Sequence, residues 1–348
     1  MTERGKNVVL AVVTICLTLL ICEFGFRLWR GISPFDFSNF RDPQNVRDTI
    51  RYDAQLGWAL KDHLDRADIH TLADGIRRNS PAQSGPRPGN ILVVGASITE
   101  GFPLPDGQNW PAQLEGLIGR PVDNAAVVGY ALDQMVLRAE QLLSGERPRL
   151  VLLGVGEPSI GWMKSSIVRD TAKPFFTVDD DVLQVHNIPV PQFKPDPFAP
   201  IKDALGYSAV IDYAMSRIDP KGWHPTVLLD SNGSPDPVDV SCRLLRRLQG
   251  ELAERGVHAI FVVEPQWQEV VRAKSAPHDL ELVEQCAREA GLSVVDTLAA
   301  WRADYQSDPR RVANYWEAEH RHFTTAGHRR LAELVAGALS EQHQSEAR

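Results

Sequence analysis

From residue 91 onward, short apolar runs alternate with longer amphipathic segments, and this alternation restricts the fold more than any other feature of the chain. Runs rich in Val, Ile and Leu predict strands buried on both faces. The segments between them have helical periodicity, as the crossover helices of a parallel sheet do. The predicted strands are residues 91–94, 122–124, 150–153, 258–263 and 293–295, and the predicted helices are residues 110–118, 133–143, 240–255, 279–290 and 325–339. The pattern therefore predicts an α/β protein with a central parallel sheet.

The rest of the chain divides around this pattern. Residues 31–88 have no long periodic pattern and are rich in Asp, Arg and Pro, which predicts a linker that packs on the domain without a core of its own. Residues 160–239 contain many prolines and are predicted to be an insertion over the carboxyl edge of the sheet, where open α/β sheets bind ligands. A chain of 348 residues can bury one sizeable core, so we expect one domain at about residues 89–342.

The N-terminus is apolar enough to enter a membrane. Residues 8–22 are uncharged, and the apolar character continues to Trp29, interrupted only by Glu23 and Arg27. This length predicts a transmembrane signal anchor within residues 1–30. A cleaved signal peptide and a buried core helix remain alternatives, although no small-x-small cleavage site follows the apolar run. An anchor in the position of an export signal predicts a single-pass membrane protein whose main domain lies outside the cytoplasm.

Composition and charge exclude several classes of protein. A formal net charge of -8 provides no basic surface for a phosphate backbone, so no nucleic-acid partner is expected. The first strand is not followed by Gly-x-Gly-x-x-Gly, which argues against a dinucleotide-binding protein, and no cofactor is predicted. Four cysteines without a Cys-x-x-Cys pair do not form a zinc motif. Cys242 and Cys286 fall on separate predicted helices, and two buried thiols are favoured over a disulfide bridge.

A serine stands at the turn after the first predicted strand. The segment Gly95-Ala96-Ser97-Ile98-Thr99-Glu100-Gly101 places Ser97 where a strand gives way to a helix. A serine there can present its hydroxyl at the edge of the sheet, with its own backbone N–H free to stabilise an oxyanion. An ordinary βα turn uses the same residue types, so this segment alone does not establish a nucleophile.

A candidate base precedes the last predicted helix. In the segment Glu319-His320-Arg321-His322, a carboxylate lies three residues before a histidine and could orient its imidazole to accept a proton from a serine. The histidines of this loop together with His328 could instead bind zinc. The helical His-Glu-x-x-His motif is absent, however, and no metal site is predicted.

In this order of segments the chain resembles the SGNH (GDSL-like) hydrolase family. The resemblance runs from about residue 91 to 339, and it implies a flavodoxin-like three-layer fold. It aligns Ser97 with the nucleophile and His322 with the catalytic histidine, because Gly327 follows at the family's distance, and Glu319 takes the place of the acid. It also aligns Gly129 with the glycine whose N–H, together with that of Ser97, forms the oxyanion hole. Three short segments resemble the bacterial membrane-tethered members: Leu56-Gly57-Trp58, Gly75-Ile76-Arg77-Arg78 and Lys173-Pro174-Phe175-Phe176.

The chain departs from the family pattern in three places. Ala96 replaces the aspartate that usually precedes the nucleophile. The third family block, which supplies an asparagine amide to the oxyanion hole, should fall near residues 154–160, where this chain has Gly154-Val155-Gly156-Glu157-Pro158-Ser159-Ile160 and no asparagine. The N–H groups of Ser97 and Gly129 could still support slow turnover, unless Asn124 or Gln134 substitutes for the missing amide. Finally, Glu319 stands where aspartate is usual, and the pair Glu317 and His320 has the same spacing as Glu319 and His322.

These features predict an ester-bond enzyme that forms an acyl-enzyme through Ser97, His322 and Glu319. The resemblance implies acetyl groups of surface polysaccharide or peptidoglycan as the substrate, and either an esterase (deacetylase) or an O-acyltransferase as the activity. The alternative is a catalytically degenerate protein of the same fold that binds carbohydrate or assists envelope polysaccharide assembly. Trp162, Trp223 and Trp267 could line a sugar site or could simply pack.

Overall fold

The chain folds into two units in a computed structural model, which describes residues 2–35, 37, 39–41, 46–85, 90–144, 148–168, 171–192, 197–223, 227–228, 236–272, 278–317 and 322–346. The smaller unit comprises residues 1–49 and 193–226, and the larger unit comprises residues 50–192 and 227–348.

The described strands lie in the larger unit, and helices occur in both units. In chain order the strands are β1 Ile50–Asp53, β2 Gly57–Leu60, β3 Ile91–Gly95, β4 Val122–Asn124, β5 Leu150–Val155, β6 Ser165–Val168, β7 Thr171–Ala172, β8 Phe175–Asp179, β9 Val182–His186, β10 Val227–Leu228, β11 His258–Val263 and β12 Ser293–Val295. The helices are α1 Glu3–Trp29, α2 Val46–Thr49, α3 Ser97–Glu100, α4 Trp110–Ile118, α5 Leu132–Leu143, α6 Glu157–Gly161, α7 Ala199–Leu205, α8 Ala209–Ile218, α9 Pro220–Trp223, α10 Pro237–Glu254, α11 Trp267–Val271, α12 His278–Glu289, α13 Leu298–Ser307, α14 Pro309–Ala313 and α15 Thr325–Glu346.

A five-stranded parallel sheet forms the centre of the larger unit. Its strands lie in the order β4-β3-β5-β11-β12, and every neighbouring pair is parallel. Numbered by their position along the chain, the five strands lie in the order 2-1-3-4-5, which is the flavodoxin-like order. The second strand is added on one side of the first, and the later strands are added on its other side. The predicted flavodoxin-like fold with a central parallel sheet is confirmed. All five predicted strands are present, with the first extended to Gly95 and the third to Val155.

Two hydrophobic layers cover the two faces of this sheet. Alternate residues of β3 point to opposite sides, so that Leu92 and Val94 join one core while Ile91 and Val93 join the other. The first core includes apolar side chains of α5, α10 and α12, and the second includes those of α4, α13 and α15. Helices α13 and α14 were not predicted, because their hydrophobic periodicity is weak. The result is the three-layer arrangement expected of the family.

Segments outside the alternating pattern also contribute to the larger unit. The antiparallel pair β1–β2 lies within the predicted linker, and Leu56, Trp58 and Leu60 of this hairpin are buried in the first core. The segment predicted as one insertion, residues 160–239, divides between the units. Its first part forms β6 to β9 of the larger unit, while residues 193–226 group with the N-terminal helix.

Helix α1 dominates the smaller unit. It runs for 27 residues with a mean hydropathy of 2.5 in its most apolar window, none of which is buried. It is therefore long and apolar enough to cross a membrane, a property that signal sequences share. The two charges that interrupt its sequence are paired, because Arg27 Nε donates to Glu23 Oε1 at 2.6 Å.

A disulfide bridge joins α10 to α12 through Cys242 and Cys286, whose Cα atoms are 5.1 Å apart. The preference for two free thiols was therefore wrong. The two helices pack side by side on one face of the sheet, which their separate periodic patterns could not reveal. The other two cysteines, Cys16 and Cys22, are free and exposed on α1.

We predict that removing this bridge lowers stability measurably. The cysteines are 44 residues apart, and a cross-link over a loop of that length contributes about 4 kcal/mol in the chain-entropy model. A Cys242→Ala/Cys286→Ala double variant should therefore melt roughly 10 °C lower than the parent in a thermal scan. The matched control is Cys16→Ala/Cys22→Ala, which should melt with the parent. Equal melting temperatures for the two double variants would contradict a bridge between α10 and α12.

Candidate active site

The turn after β3 presents Ser97 at the carboxyl edge of the sheet. Ser97 is the first residue of α3 and is partly exposed. A Cβ placed on Gly95 would lie only 2.0 Å from the Thr99 hydroxyl oxygen, so the turn can close this tightly only with glycine at that position. The motif of small residues before Ser97 thus has a steric cause.

His322 completes a chain of hydrogen bonds from this serine. Its Nε2 lies 3.0 Å from Ser97 Oγ, and its Nδ1 lies 3.0 Å from Glu317 Oε1. An imidazole that donates its Nδ1 proton to a carboxylate has its Nε2 lone pair free to accept the serine proton. The Phe102 ring packs edge-on against the imidazole, with ring centroids 5.3 Å apart. The structure therefore brings together Ser97 and His322, the residues that the sequence analysis named as candidate nucleophile and base.

The carboxylate beside His322 belongs to Glu317, five residues earlier. The backbone doubles back here, because Trp316 and Phe323 form an antiparallel bridge and the Glu317 N–H donates to the His322 carbonyl oxygen at 3.0 Å. Sequence spacing could not reveal this reversal. Glu319, the predicted acid, lies outside the described residues, as does His320.

Two backbone donors lie free near the serine. Glycine 129, in the loop after β4, has φ +81°, and this loop is held against the nucleophile turn because the Val128 N–H donates to the Glu100 carboxylate. Among the described residues, neither the Ser97 N–H nor the Gly129 N–H donates to another protein group. Both N–H groups therefore lack a protein acceptor among the described residues. Their role in an oxyanion hole stays a prediction.

Neither of the two amides proposed as substitutes for the missing asparagine is available. Asn124 Nδ2 donates to the Thr99 carbonyl oxygen at 3.0 Å, and Gln134 Nε2 donates to the Leu56 carbonyl oxygen at 2.8 Å. Both side chains are completely buried. Breaking either hydrogen bond would leave a buried carbonyl without this donor.

The altered third block has a steric explanation. Gly156 follows β5 and precedes α6, and a Cβ on it would lie 2.9 Å from the Glu264 carbonyl oxygen. An asparagine there would crowd that backbone. The same Cβ would lie 3.5 Å from Nε2 of Gln266, so an amide from the loop after β11 lies beside the position that the sequence leaves empty.

The buried carboxyl group of Glu264 bonds to the turn that carries Ser97. Glu264 Oε1 accepts hydrogen bonds from Thr99 Oγ1 at 2.6 Å and from Trp110 Nε1 at 2.9 Å. Burial raises the pKa of Glu264 to about 7, against which these two hydrogen bonds act only partly. This residue was not singled out from the sequence, since one glutamate after an apolar strand carries no signal.

His328 has a structural role. Its Nδ1 accepts a hydrogen bond from the Trp110 N–H at 3.1 Å, and burial, aided by the Arg77 charge, lowers the pKa of His328 to about 3. Its imidazole is therefore neutral. Among the described residues, no group of His, Cys, Asp and Glu side chains is arranged to hold a metal ion.

The three tryptophans considered for sugar binding lie in different surroundings. Trp223 is buried in the smaller unit and donates to Asp212. Trp162 packs against the first core. Trp267 is partly exposed and contacts Trp316 edge-on, with ring centroids 5.3 Å apart. Trp316 directly precedes Glu317, which contacts His322. Of the three, Trp267 therefore lies beside the site.

We predict that Glu264→Gln changes how stability depends on pH. A folded-state pKa near 7, above the ordinary 4.5, means that the folded chain holds this proton more tightly than the unfolded chain. The stability it contributes is complete below about pH 4.5 and is lost as the pH rises through about 7. Glutamine keeps the acceptor oxygen but cannot ionise.

The advantage of Glu264→Gln over the parent in free energy of unfolding should therefore grow between about pH 5 and pH 8, by up to a few kcal/mol. Denaturant titrations at several pH values measure it. Exposed Glu254→Gln is the control and should show no such trend. A difference between Glu264→Gln and the parent that is constant across this range would contradict a protonated Glu264.

The sequence matches no protein-family model and no curated protein. Solved structures that are similar to this chain include the following three. A putative lipolytic protein of the G-D-S-L family from Desulfitobacterium hafniense DCB-2 is 12% identical, with 71% of this chain and 98% of that chain covered and a TM-score of 0.37. A member of the lipolytic G-D-S-L family from Veillonella parvula DSM 2008 is 16% identical, with 72% and 98% covered and a TM-score of 0.40. A variant of an acetyl xylan esterase from Geobacillus stearothermophilus is 16% identical, with 71% and 91% covered and a TM-score of 0.39.

The printed names of the first two proteins include the lipolytic G-D-S-L family. Similarity at these identities and TM-scores assigns neither an activity nor a substrate to this chain.

Proposed function

We propose that the chain is a membrane-anchored serine hydrolase of the SGNH type that cleaves or transfers acetyl esters through an acyl-enzyme on Ser97. One observation carries this proposal: Ser97 Oγ, the His322 imidazole and the Glu317 carboxylate form a continuous chain with 3.0 Å at each step. A nucleophile, a base and a group that orients the base, in hydrogen-bond contact and partly exposed, are the requirements for acyl transfer.

The first half of the reaction transfers the acyl group to the protein. His322 Nε2 accepts the Ser97 hydroxyl proton while Oγ attacks the ester carbonyl carbon, and Glu317 stabilises the resulting imidazolium. The negative charge moves to the carbonyl oxygen, where the Ser97 and Gly129 N–H groups donate to it. The C–O bond to the alcohol then breaks, and His322 returns its proton to the leaving oxygen. Ser97 is left as an acyl ester.

The second half decides between two activities. His322 takes a proton from an incoming hydroxyl, whose oxygen attacks the acyl-Ser97 carbonyl and releases the Ser97 oxygen, which recovers its proton. Water as the acceptor gives an esterase, and a sugar hydroxyl gives an O-acyltransferase. The resemblance to membrane-tethered SGNH proteins supports acetyl groups of surface polysaccharide or peptidoglycan as the substrate class.

One feature supports membrane anchorage, and a second supports a position of the larger unit outside the cytoplasm. The exposed apolar surface of α1 suits a lipid surrounding, so we take α1 as an uncleaved anchor. Disulfides persist in oxidising compartments and are rare in the cytosol, so the bridge between Cys242 and Cys286 favours an extracytoplasmic location for the larger unit.

The experiment for this function uses the full chain in a mild detergent with p-nitrophenyl acetate. We expect a burst of p-nitrophenol close to one equivalent of protein, followed by slower turnover. Adding a short chito-oligosaccharide separates the activities, because a transferase produces acetylated sugar at the expense of free acetate. The absence of both burst and turnover would favour the carbohydrate-binding alternative.

Gln266 is the third oxyanion donor in this proposal. Its amide lies beside Gly156, where the family pattern has asparagine, and the partial exposure of Gln266 leaves it able to reach a bound ester. We expect Gln266→Ala to lower kcat by about 10- to 100-fold with little change in KM, because a donor to the oxyanion acts mainly in the transition state. Gln268→Ala, an exposed neighbour on α11, is the control. An unchanged kcat in Gln266→Ala would remove Gln266 from the oxyanion hole.

A further inference from the structure

Helix α7 in the smaller unit, with the residue before it, exposes an apolar face. Phe198, Ile201 and Leu205 recur at helical spacing along one face, and their exposures are 63%, 59% and 39%. Both charged side chains of α7 have partners within the unit: Lys202 Nζ donates to the Gly222 carbonyl oxygen at 2.7 Å, and the Asp203 carboxylate, although 39% exposed, pairs with Arg41. A helix at a water surface buries its apolar face and exposes its charges.

The segment that follows α7 is tied to the last turns of α1. The Glu23 carboxylate accepts from Ser208 Oγ at 2.6 Å and from the Ala209 N–H at 2.7 Å. Arg27 donates to the Tyr207 carbonyl oxygen at 2.9 Å. These contacts use both charges that interrupt the apolar sequence of α1. They also hold the start of α8 at the level of Glu23.

The depth of that level follows from helix geometry. With a rise of 1.5 Å per residue, Lys6 and Glu23 lie about 26 Å apart along the axis of α1. The hydrocarbon core of a bilayer is about 30 Å thick. If Lys6 lies at one interface, Glu23 lies close to the other, and the segment fixed to Glu23 reaches the head-group region.

Aromatic residues at this end of α1 fit the same location. Trp29 is 68% exposed and Tyr207 is 53% exposed, while Tyr213 packs edge-on against both Phe26 and Trp29. Tryptophan and tyrosine are enriched where membrane helices meet water, because their rings have one apolar and one polar part.

We propose that α7 together with Tyr207 forms an interfacial collar, which inserts the apolar side chains of Ile201 and Leu205 into the lipid surface beside α1. This inference rests on the membrane anchorage proposed above and extends it to a second segment. Lipid is the partner favoured because the apolar face belongs to a segment fixed to an uncovered apolar helix of membrane-spanning length.

The test measures the depth of single spin labels on the full chain in phosphatidylcholine–phosphatidylglycerol vesicles. Cys16 and Cys22 are first replaced by serine, and labels are then attached to Ile201→Cys and Leu205→Cys. Val182→Cys is the control in the larger unit, where Val182 is 54% exposed, and Leu17→Cys reports the anchor itself. Each label is compared for collision with oxygen, which concentrates in lipid, and with a water-soluble nickel chelate.

We expect the oxygen-to-nickel accessibility ratio at Ile201→Cys and Leu205→Cys to exceed that at Val182→Cys several-fold. Equal ratios at the three positions, with a lipid signal at Leu17→Cys, would overturn the collar and leave the anchor intact. An aqueous signal at Leu17→Cys would overturn the anchor as well. Low accessibility to both reagents at Ile201→Cys would indicate cover by protein and would also overturn the collar. Retained hydrolysis of p-nitrophenyl acetate verifies that each labelled protein is folded.

Discussion

Replacing Ser97 by alanine should reduce kcat/KM for p-nitrophenyl acetate by about 10⁴-fold or more, because the substitution removes the atom that forms the acyl-enzyme. The side chain is small and partly exposed, and its Oγ contacts His322, so the fold should not depend on it. The measurement is the steady-state rate of the full-length variant beside the parent at equal protein concentration, with thermal scans to verify equal stability.

Ser144→Ala is the matched control, since Ser144 is an exposed serine after α5 whose hydroxyl bonds only its own helix end. It should retain the parent rate. A Ser97→Ala protein that keeps a tenth or more of the parent activity would mean that hydrolysis occurs elsewhere on the chain.

A second large effect should distinguish the two glutamates that precede His322 in the sequence, Glu317 and Glu319. Glu317→Gln should lower kcat by about 100-fold or more, because glutamine cannot stabilise the imidazolium as a carboxylate does and can favour the wrong tautomer. The distance of 3.0 Å between Glu317 Oε1 and His322 Nδ1 is the basis for this expectation. Glu317 is about one-third exposed, which limits the effect below that of a fully buried acid.

Glu319→Gln is the comparison, because Glu319 has the spacing that the sequence alone favoured. With Glu317 in the orienting position, Glu319→Gln should leave kcat close to that of the parent. The reverse pattern, with Glu319→Gln inactive and Glu317→Gln active, would restore the acid predicted from the sequence. Both variants need only the steady-state assay with p-nitrophenyl acetate.

Local sequence patterns predicted the parts of the fold that depend on local physics. An apolar strand buried on both faces, such as Leu150–Val155, is visible as a continuous hydrophobic run, and the crossover helices are visible through their periodicity. The roles of Ser97 and His322 were assigned differently: the family resemblance implies them, with Gly327 fixing the register of the histidine. The order of the strands and helices along the chain supplied the rest of the evidence for an α/β fold.

Features that depend on a chain reversal or on contacts between separate elements could not be predicted. The acid position depends on the bridge between Trp316 and Phe323, and the disulfide depends on α10 lying beside α12. Residues 193–226 group with the N-terminal unit, in which Glu23 bonds to Ser208 and Arg27 to Tyr207. Sequence periodicity does not express such contacts.

The missing asparagine illustrates how a motif and its function can separate. The sequence shows only that residues 154–160 contain no asparagine. The structure adds that the Glu264 carbonyl oxygen leaves no room for a side chain there, and that the amide of Gln266 lies next to the gap.

The measurement that tests the acyl-enzyme most directly is mass spectrometry of the full chain quenched in acid within milliseconds of mixing with p-nitrophenyl acetate. We predict that the protein gains the mass of one acetyl group, that peptide sequencing places this group on Ser97, and that neither Ser97→Ala nor His322→Ala acquires it. An acetyl group on any other residue, or turnover without a labelled Ser97, would contradict the proposed mechanism.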